Sequence, residues 1–319
     1  MKILFLVLAL FVLVFIVLAW FTGRTARRIE AFLPARGWFV DVPGARLHIR
    51  EAGVGPAILL VHGLGGQSAH FDYGVFETLA RNHRVIAVDR PGSGWSERVP
   101  GTPADLSTQA AALAALIGSL GLERPTVAGH SLGGAVALTL ALEHPDKVGA
   151  LALIAPLTHV QSAPPEVFRA LAIGSPWLRT LFAWTLATPG AIAGGKKVLA
   201  TVFAPESVPR DFPVKGGGML SLRPRQFLAA SSDMQALPAH MPRLVDRYGQ
   251  LAVPTGVLYG RGDAILAWEE HGQALADKVP GLRLELVEGG HMLPVTQPQA
   301  VADFVSRCAQ FAAPERAAG

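Results

Sequence analysis

The residues best placed to do chemistry are a serine, a carboxylate and a histidine that follow one another along the chain. Ser131 stands in Gly129-His130-Ser131-Leu132-Gly133, Asp263 closes Gly260-Arg261-Gly262-Asp263, and His291 follows Glu288-Gly289-Gly290. A serine hydroxyl is a weak nucleophile near neutral pH. It attacks a carbonyl carbon only when a base takes its proton and a third group orients that base. Together the three residue types can run acyl transfer. A five-residue Gly-x-Ser-x-Gly also arises by chance as a glycine-rich surface turn, so its meaning depends on the elements around it. Asp233 and Asp246 are two further carboxylates, and weaker candidates for the acid than Asp263.

Each of the three residues follows a segment that reads as a buried strand. Apolar and β-branched residues lead from Pro125 into Gly129, and an alanine-rich segment, Ala135 to Glu143, follows with helical composition. Small residues two before and two after the serine let a strand turn sharply into a helix, which is the pattern of a nucleophile elbow. Asp263 follows the strand-like run Pro254 to Tyr259, and His291 follows Arg283 to Val287. Ala57 to Val61, Arg84 to Val88 and Val148 to Ile154 are further apolar runs of the same kind. Helices are expected over Thr102 to Leu120, with Thr102 as a possible cap, over Ala267 to Lys278, and over Pro298 to Phe311 as an amphipathic edge helix. Strands alternating with helices indicate an α/β protein with a mostly parallel sheet and helices on both faces. In such a sheet the loops after the strands share one edge, so Ser131, Asp263 and His291 converge there. Trp38 to Val42 and Ala45 to Glu51, separated by Pro43-Gly44, read as an antiparallel hairpin at the sheet's border.

The rhythm stops between Pro156 and Met241, where apolar helical segments such as Val167 to Ala172 and Trp177 to Ala187 are punctuated by prolines and by Gly216-Gly217-Gly218. A helical insertion of this size over the strand ends makes a lid. Trp177, Phe182 and Phe203 are its candidate substrate-binding residues, with Leu178, Leu181 and Trp184 as further apolar wall. The expected organisation is an anchor at 1–22, a polar linker at 23–37, an α/β core at 38–155 and 246–312, a lid at 156–245, and a flexible tail at 313–319.

Ile3 to Phe21 is an apolar run without charge, proline or glycine, flanked by Lys2 and by Arg24, Arg27 and Arg28. At about 1.5 Å per residue it extends roughly 28 Å, the thickness of a bilayer's hydrocarbon. A cleaved signal peptide is the competing reading, but its apolar region is shorter and ends in a small-x-small site, whereas this run ends in Ala19-Trp20-Phe21. A single-pass anchor through residues 3–21 is favoured. The three arginines put the following domain on the cytoplasmic side, with Lys2 and the amino terminus opposing. The net charge of +4 comes from scattered arginines, with no basic stripe interleaved with aromatics, so nucleic acid is not an expected partner. Cys308 is the only cysteine, which excludes an intrachain disulfide and a cysteine-rich metal site.

With these motifs in order, the chain resembles the α/β-hydrolase superfamily, specifically its capped serine esterase and lipase-like members, from about Trp38 to Phe311. The resemblance is carried by His62-Gly63 after a central strand, Asp89-Arg-Pro-Gly-Ser-Gly94, Gly129-His-Ser-Leu-Gly133, Gly260-x-x-Asp263 and Gly290-His291. It implies Ser131 as nucleophile, His291 as base, Asp263 as its orienting acid, and the backbone N–H groups of Leu64 and Leu132 as the oxyanion hole. It implies neither a cofactor nor a metal, and an apolar ester substrate cleaved through an acyl-enzyme, as in esterases or monoacylglycerol lipases. Related dehalogenases and epoxide hydrolases use an aspartate nucleophile, which position 131 does not supply. Carbon–carbon bond hydrolases share the serine triad and stay open, as does a silent member that binds a lipophilic ligand. Asp89 is expected to organise the turn after it, and His62 to brace the oxyanion turn. His130 is expected to point away from the triad, and His70, His83, His144, His159, His240 and His271 to be surface or core residues.

Overall fold

Short apolar runs that are buried on both faces must satisfy their backbone groups by pairing with one another. The computed structural model, which describes residues 1–161 and 165–312, shows how they do so. The strands are β1 (Trp38–Val42), β2 (Ala45–Ala52), β3 (Ala57–Val61), β4 (Arg84–Val88), β5 (Glu97–Arg98), β6 (Thr126–His130), β7 (Ala150–Ile154), β8 (Thr255–Gly260) and β9 (Arg283–Val287). They form one sheet in the order β1-β2-β4-β3-β6-β7-β8-β9. The β1–β2 hairpin is antiparallel at one border, β2 pairs antiparallel with β4, and every pair from β4 through β9 is parallel. The two-residue β5, which the sequence did not suggest, pairs with β2.

Successive side chains of a strand face opposite sides, and the two cores follow that alternation. Leu59, Val61, Ile86, Val88, Val127 and Leu151 face one side, under α3 (Leu106–Ser119) and α4 (Leu132–Glu143). Ile58, Leu60, Val85, Ala87, Ala128 and Ala152 face the other, under α2 (Val75–Leu79) and the C-terminal helix Pro298–Ala312. The fold is therefore of the α/β class, a mostly parallel sheet covered on both faces.

Several boundaries differ from expectation for local reasons. Helix α3 starts at Leu106, because Asp105 rather than Thr102 caps it, its side chain accepting from Thr108 N at 2.8 Å. The stretch expected as a helix near Ala267 is a π-turn over Glu269–Gln273 followed by a single turn, Ala274–Ala276.

Between β7 and β8 lie a 3-10 turn over Glu166–Leu171, α5 (Pro176–Thr185), α6 (Ala187–Phe203), a second 3-10 turn over Gly218–Leu222 and α7 (Pro224–Asp246). The Trp177 to Ala187 segment thus divides at Leu186, and α7 runs through Pro238 and Pro242, which read in sequence as breaks.

The N-terminal segment corrects the expected organisation most. Helix α1 extends from Lys2 to Phe32, so most of the supposed linker 23–37 is helix. Arg24 to Ala31 are mainly good helix formers, and Thr22, Gly23 and Ile29 are buried against the lid. Helix α1 packs on α5, on α7 and on the turn between α6 and α7. The expected tail at 313–319 lies outside the described residues.

Candidate active site

The turn from β6 into α4 holds Ser131 at φ 53° and ψ −121°, a left-handed conformation that a side chain adopts only under constraint. The constraint is close packing. A Cβ on Gly129 would lie 2.5 Å from Gly133 O, and one on Gly133 would lie 2.4 Å from Val61 O. Backbone bonds complete the elbow: Ser131 N donates to Ile154 O at 3.0 Å, and Ser131 O accepts from Gly134 N at 2.8 Å.

Asp263 and His291 are brought together from loops after β8 and β9. His291 Nδ1 lies 2.8 Å from Asp263 Oδ2, and Asp263 Oδ1 accepts from Ile265 N and Leu266 N at 2.8 and 2.9 Å. Carboxylate oxygens accept, so the ring donates to Asp263 Oδ2 through Nδ1–H and Nε2 is the ring nitrogen that Asp263 does not engage. Ser131 and His291 line the same cavity, and no hydrogen bond joins them among the described residues. Contacts of this kind commonly tighten when substrate arrives. Asp233 and Asp246 are not in this cluster. Asp233 is held by Arg90 and Arg98 at 2.8 and 2.6 Å, and Asp246 is exposed at the end of α7.

Leu132 N opens α4, and Leu64 N follows Gly63 in the turn after β3. Neither donates to another backbone group among the described residues. A Cβ on Gly63 would lie 2.9 Å from Ser131 Cβ, so both N–H groups stand near the serine, where such donors can meet negative charge on a substrate oxygen.

The turn carrying Leu64 is braced from behind. Burial first, and the Arg90 charge second, lower the His62 pKa to about 3, so its ring is neutral. Its Nε2 accepts from Arg90 N at 2.9 Å, which leaves Nδ1–H to donate to Gly63 O at 2.8 Å. Arg90, fully buried, donates to His62 O and Gly63 O at 2.9 Å each and to Gln109 at 2.6 Å, besides its pair with Asp233 on α7. Gln226, also on α7, donates to Gly65 O and Gly66 O at 3.0 Å each. One buried network thus ties the turn carrying Leu64 to the lid. Asp89 organises the next turn, accepting from Trp95 N and Ser68 N at 2.8 and 2.7 Å and pairing with His48 at 2.8 Å. Burial opposes its charge, but the His48 contact and these N–H donors outweigh it and hold the carboxyl below its ordinary range.

His130 does not point away. Its ring lies 5.0 Å from that of His291, and its Nε2–H donates to His291 O at 2.9 Å. The sharp elbow turns the ring toward the next loop, where it fixes the backbone of His291. Burial, with His291 adding to it, lowers its pKa well below the ordinary histidine value, so it is neutral.

These groups border a cavity of about 990 Å³ between the sheet and the lid. Phe182 and Phe203 line it, as do Leu171, Leu199 and Met219. Trp177 does not, nor do Leu178, Leu181 and Trp184, which were expected as further wall. Trp177 lies on the outer face of α5 with 68% of its surface exposed, because Phe182 takes the inward side. His70 and His159, expected as ordinary surface or core residues, also line the cavity. Both lie on the segments that leave a strand's C-terminal end, His70 after β3 and His159 after β7, and that position is the signal that locates them.

Comparison with known proteins places this arrangement. A family model for the alpha/beta hydrolase fold matches residues 56–298. An uncharacterised protein of Mycobacterium tuberculosis is 30% identical over 298 residues, covering 89% of this chain and 84% of that protein. A 2-hydroxy-6-oxononadienedioate/2-hydroxy-6-oxononatrienedioate hydrolase of Comamonas testosteroni is 27% identical, over 76% of this chain and 82% of the relative. Among solved structures, a thermophilic esterase from Thermogutta terrifontis superposes with a TM-score of 0.69 at 27% identity, over 86% of this chain and 97% of that one.

Proposed function

The chain belongs to the α/β-hydrolase family, and within it we propose a serine carboxylester hydrolase that cleaves esters with apolar acyl groups, held at a membrane by α1. The observation that carries this reading is the oriented base: Asp263 fixes His291 through Nδ1 and leaves its Nε2 unengaged, in the cavity that a strained elbow opens to Ser131. In this reading His291 takes the Ser131 proton as Oγ attacks the ester carbonyl, and then gives it to the leaving alcohol. Asp263 stays ionised and stabilises the imidazolium that forms. Leu64 N–H and Leu132 N–H hold the oxygen as it becomes negative, a contribution of about 3–4 kcal/mol per donor in comparable sites. Water activated by the same histidine releases the acid.

The apolar substrate class is supported by the cavity, whose volume of about 990 Å³ accommodates a long acyl chain among Phe182, Leu199 and Phe203. The anchor is supported by a mean hydropathy of 3.3 in the 18-residue apolar window of α1, none of which is buried. Turnover of p-nitrophenyl esters across chain lengths tests the reading. Activity that rises from acetyl to octanoyl or longer and is lost in Asp263→Asn is expected, and activity confined to acetyl esters contradicts the apolar pocket. The similarity to the Comamonas hydrolase favours carbon–carbon cleavage as a second reading. Loss of the absorbance of a 2-hydroxy-6-oxo-dienoate, with no ester turnover, would select it.

A further inference from the structure

Helix α1 is not a loose tether. It passes unbroken from the apolar run into Thr22–Phe32, where Thr22, Gly23 and Ile29 are buried against the lid. Glu30 pairs at 3.3 Å with Arg223, a fully buried cation that also donates to Gly94 O and stacks over Trp95 at 4.7 Å. A helix clamped this way fixes how the whole domain sits relative to whatever residues 3–21 cross.

The face it fixes there is unusual. Trp177, Leu181 and Trp184 recur at helical spacing on the outer side of α5, each at least 40% exposed. The Trp184 ring comes within 3.7 Å of the place a Cβ on Gly23 would occupy, just past the apolar run. Leu186 and Ile192 continue this surface at 46 and 54% exposure and also line the cavity, so they form its rim. In sequence, Arg179, Lys196 and Lys197 lie between the paired Arg169 and Glu166, 3.1 Å apart, and Glu206, with no carboxylate among them, while Arg24, Arg27 and Arg28 lie on the adjoining part of α1. Exposed tryptophans and leucines among cations, beside a membrane-length helix, match the interfacial layer of an anionic bilayer.

We propose that the outer face of α5 and the Leu186–Ile192 rim dock into the bilayer that α1 crosses, and that the cavity takes its ester directly from the lipid phase. This rests on reading α1 as a span and Ser131 as an esterase nucleophile. An apolar ester then moves from acyl chains to an apolar cavity without crossing water, with α5 as the threshold.

The test uses the full chain with its buried cysteine replaced, Cys308→Ala, in phosphatidylcholine–phosphatidylglycerol vesicles, with an environment-sensitive fluorophore on a cysteine at one position at a time: Val12→Cys, Trp177→Cys or Gln299→Cys. Docking predicts blue-shifted emission and quenching by doxyl lipids at 12 and 177, and neither at 299 on the far C-terminal helix. In parallel, Trp177→Glu/Leu181→Glu, two exposed residues outside the cavity, should leave turnover of water-soluble p-nitrophenyl acetate unchanged. Hydrolysis of a long-chain ester embedded in the vesicles should fall by about tenfold. A label at 177 as exposed as the one at 299, or an unchanged ratio between the two esters, overturns the docking. An exposed label at 12 overturns the span reading, and with it this proposal. Absence of turnover on both esters overturns the esterase reading alone, and the label at 177 still decides whether the lid is docked.

Discussion

Arg90→Met separates bracing from catalysis. The guanidinium is fully buried and makes four side-chain bonds of 2.6 to 2.9 Å, two of them to the carbonyls of the oxyanion turn and one to the buried Asp233 on the lid. Methionine fills similar volume but donates nothing. Asp233 then keeps only Arg98, at 2.6 Å, as an ionic partner. Breaking a buried pair by removing one member costs about 3–5 kcal/mol, because the other charge stays out of water. For a chain of 319 residues that lowers Tm by roughly 4–8 °C. Adding Asp233→Leu removes the stranded carboxylate and should restore part of the loss, a coupling of about 0.5–3 kcal/mol in the double-mutant cycle. It should not restore ester turnover, because both variants lack the guanidinium bonds to His62 O and Gly63 O, and Gly63 O keeps only His62 Nδ1–H and Gly66 N–H, which loosens the turn that holds Leu64 N–H. Thermal melts in detergent measure the first quantity, and kcat on a p-nitrophenyl ester measures the second. A single variant within about 1 kcal/mol of wild type, or full recovery of kcat in the double variant, refutes the idea that one network serves both lid and oxyanion turn.

Gly133→Ala should reduce kcat/KM by about 10²–10³ while the far-ultraviolet spectrum stays native. Its Cβ would lie 2.4 Å from Val61 O and 2.6 Å from His62 O, and relief of that clash displaces Leu132 N–H; wild-type turnover would contradict this. Stability should also depend on pH. His62 and His271 are both buried, and burial, the largest cause for each, sets their folded pKa values at about 3 and 4, below the ordinary 6.5. The unfolded chain therefore takes up protons first, so stability is level above pH 6.5 and falls as the pH drops toward the folded values, by about 1.4 kcal/mol per unit for each ring. Melts between pH 7.5 and 5 measure it, and a constant Tm over that range would contradict the buried neutral rings.

Much of the site was readable because its parts lie at the ends of apolar runs. Ser131, Asp263 and His291 are polar residues placed just after β6, β8 and β9, and a parallel sheet brings such positions to one edge. Asp89 was readable too, since its partner Trp95 N lies only six residues away. The Arg90–Asp233 pair was not, because its members are 143 residues apart and meet only when the lid closes over the turn. The inward side of α5 was ambiguous for a different reason. Trp177 and Phe182 are both apolar, so composition does not say which faces the cavity, and the exposed stripe departs from the usual rule that large apolar side chains turn inward. The continuation of α1 was hidden by polarity. Arg24 to Ala31 resemble a linker in charge but favour helix in propensity, and burial against the lid decides between the two.

The central claim is that Ser131 is a nucleophile activated by His291 and Asp263. Labelling with a fluorophosphonate probe tests it most directly, because the probe reacts with an activated serine and requires no knowledge of the substrate. Wild type should label stoichiometrically at Ser131, Asp263→Asn should label far more slowly, and Ser131→Ala should not label. A folded wild type that stays unlabelled, or Ser131→Ala that labels at the wild-type rate, would contradict the account.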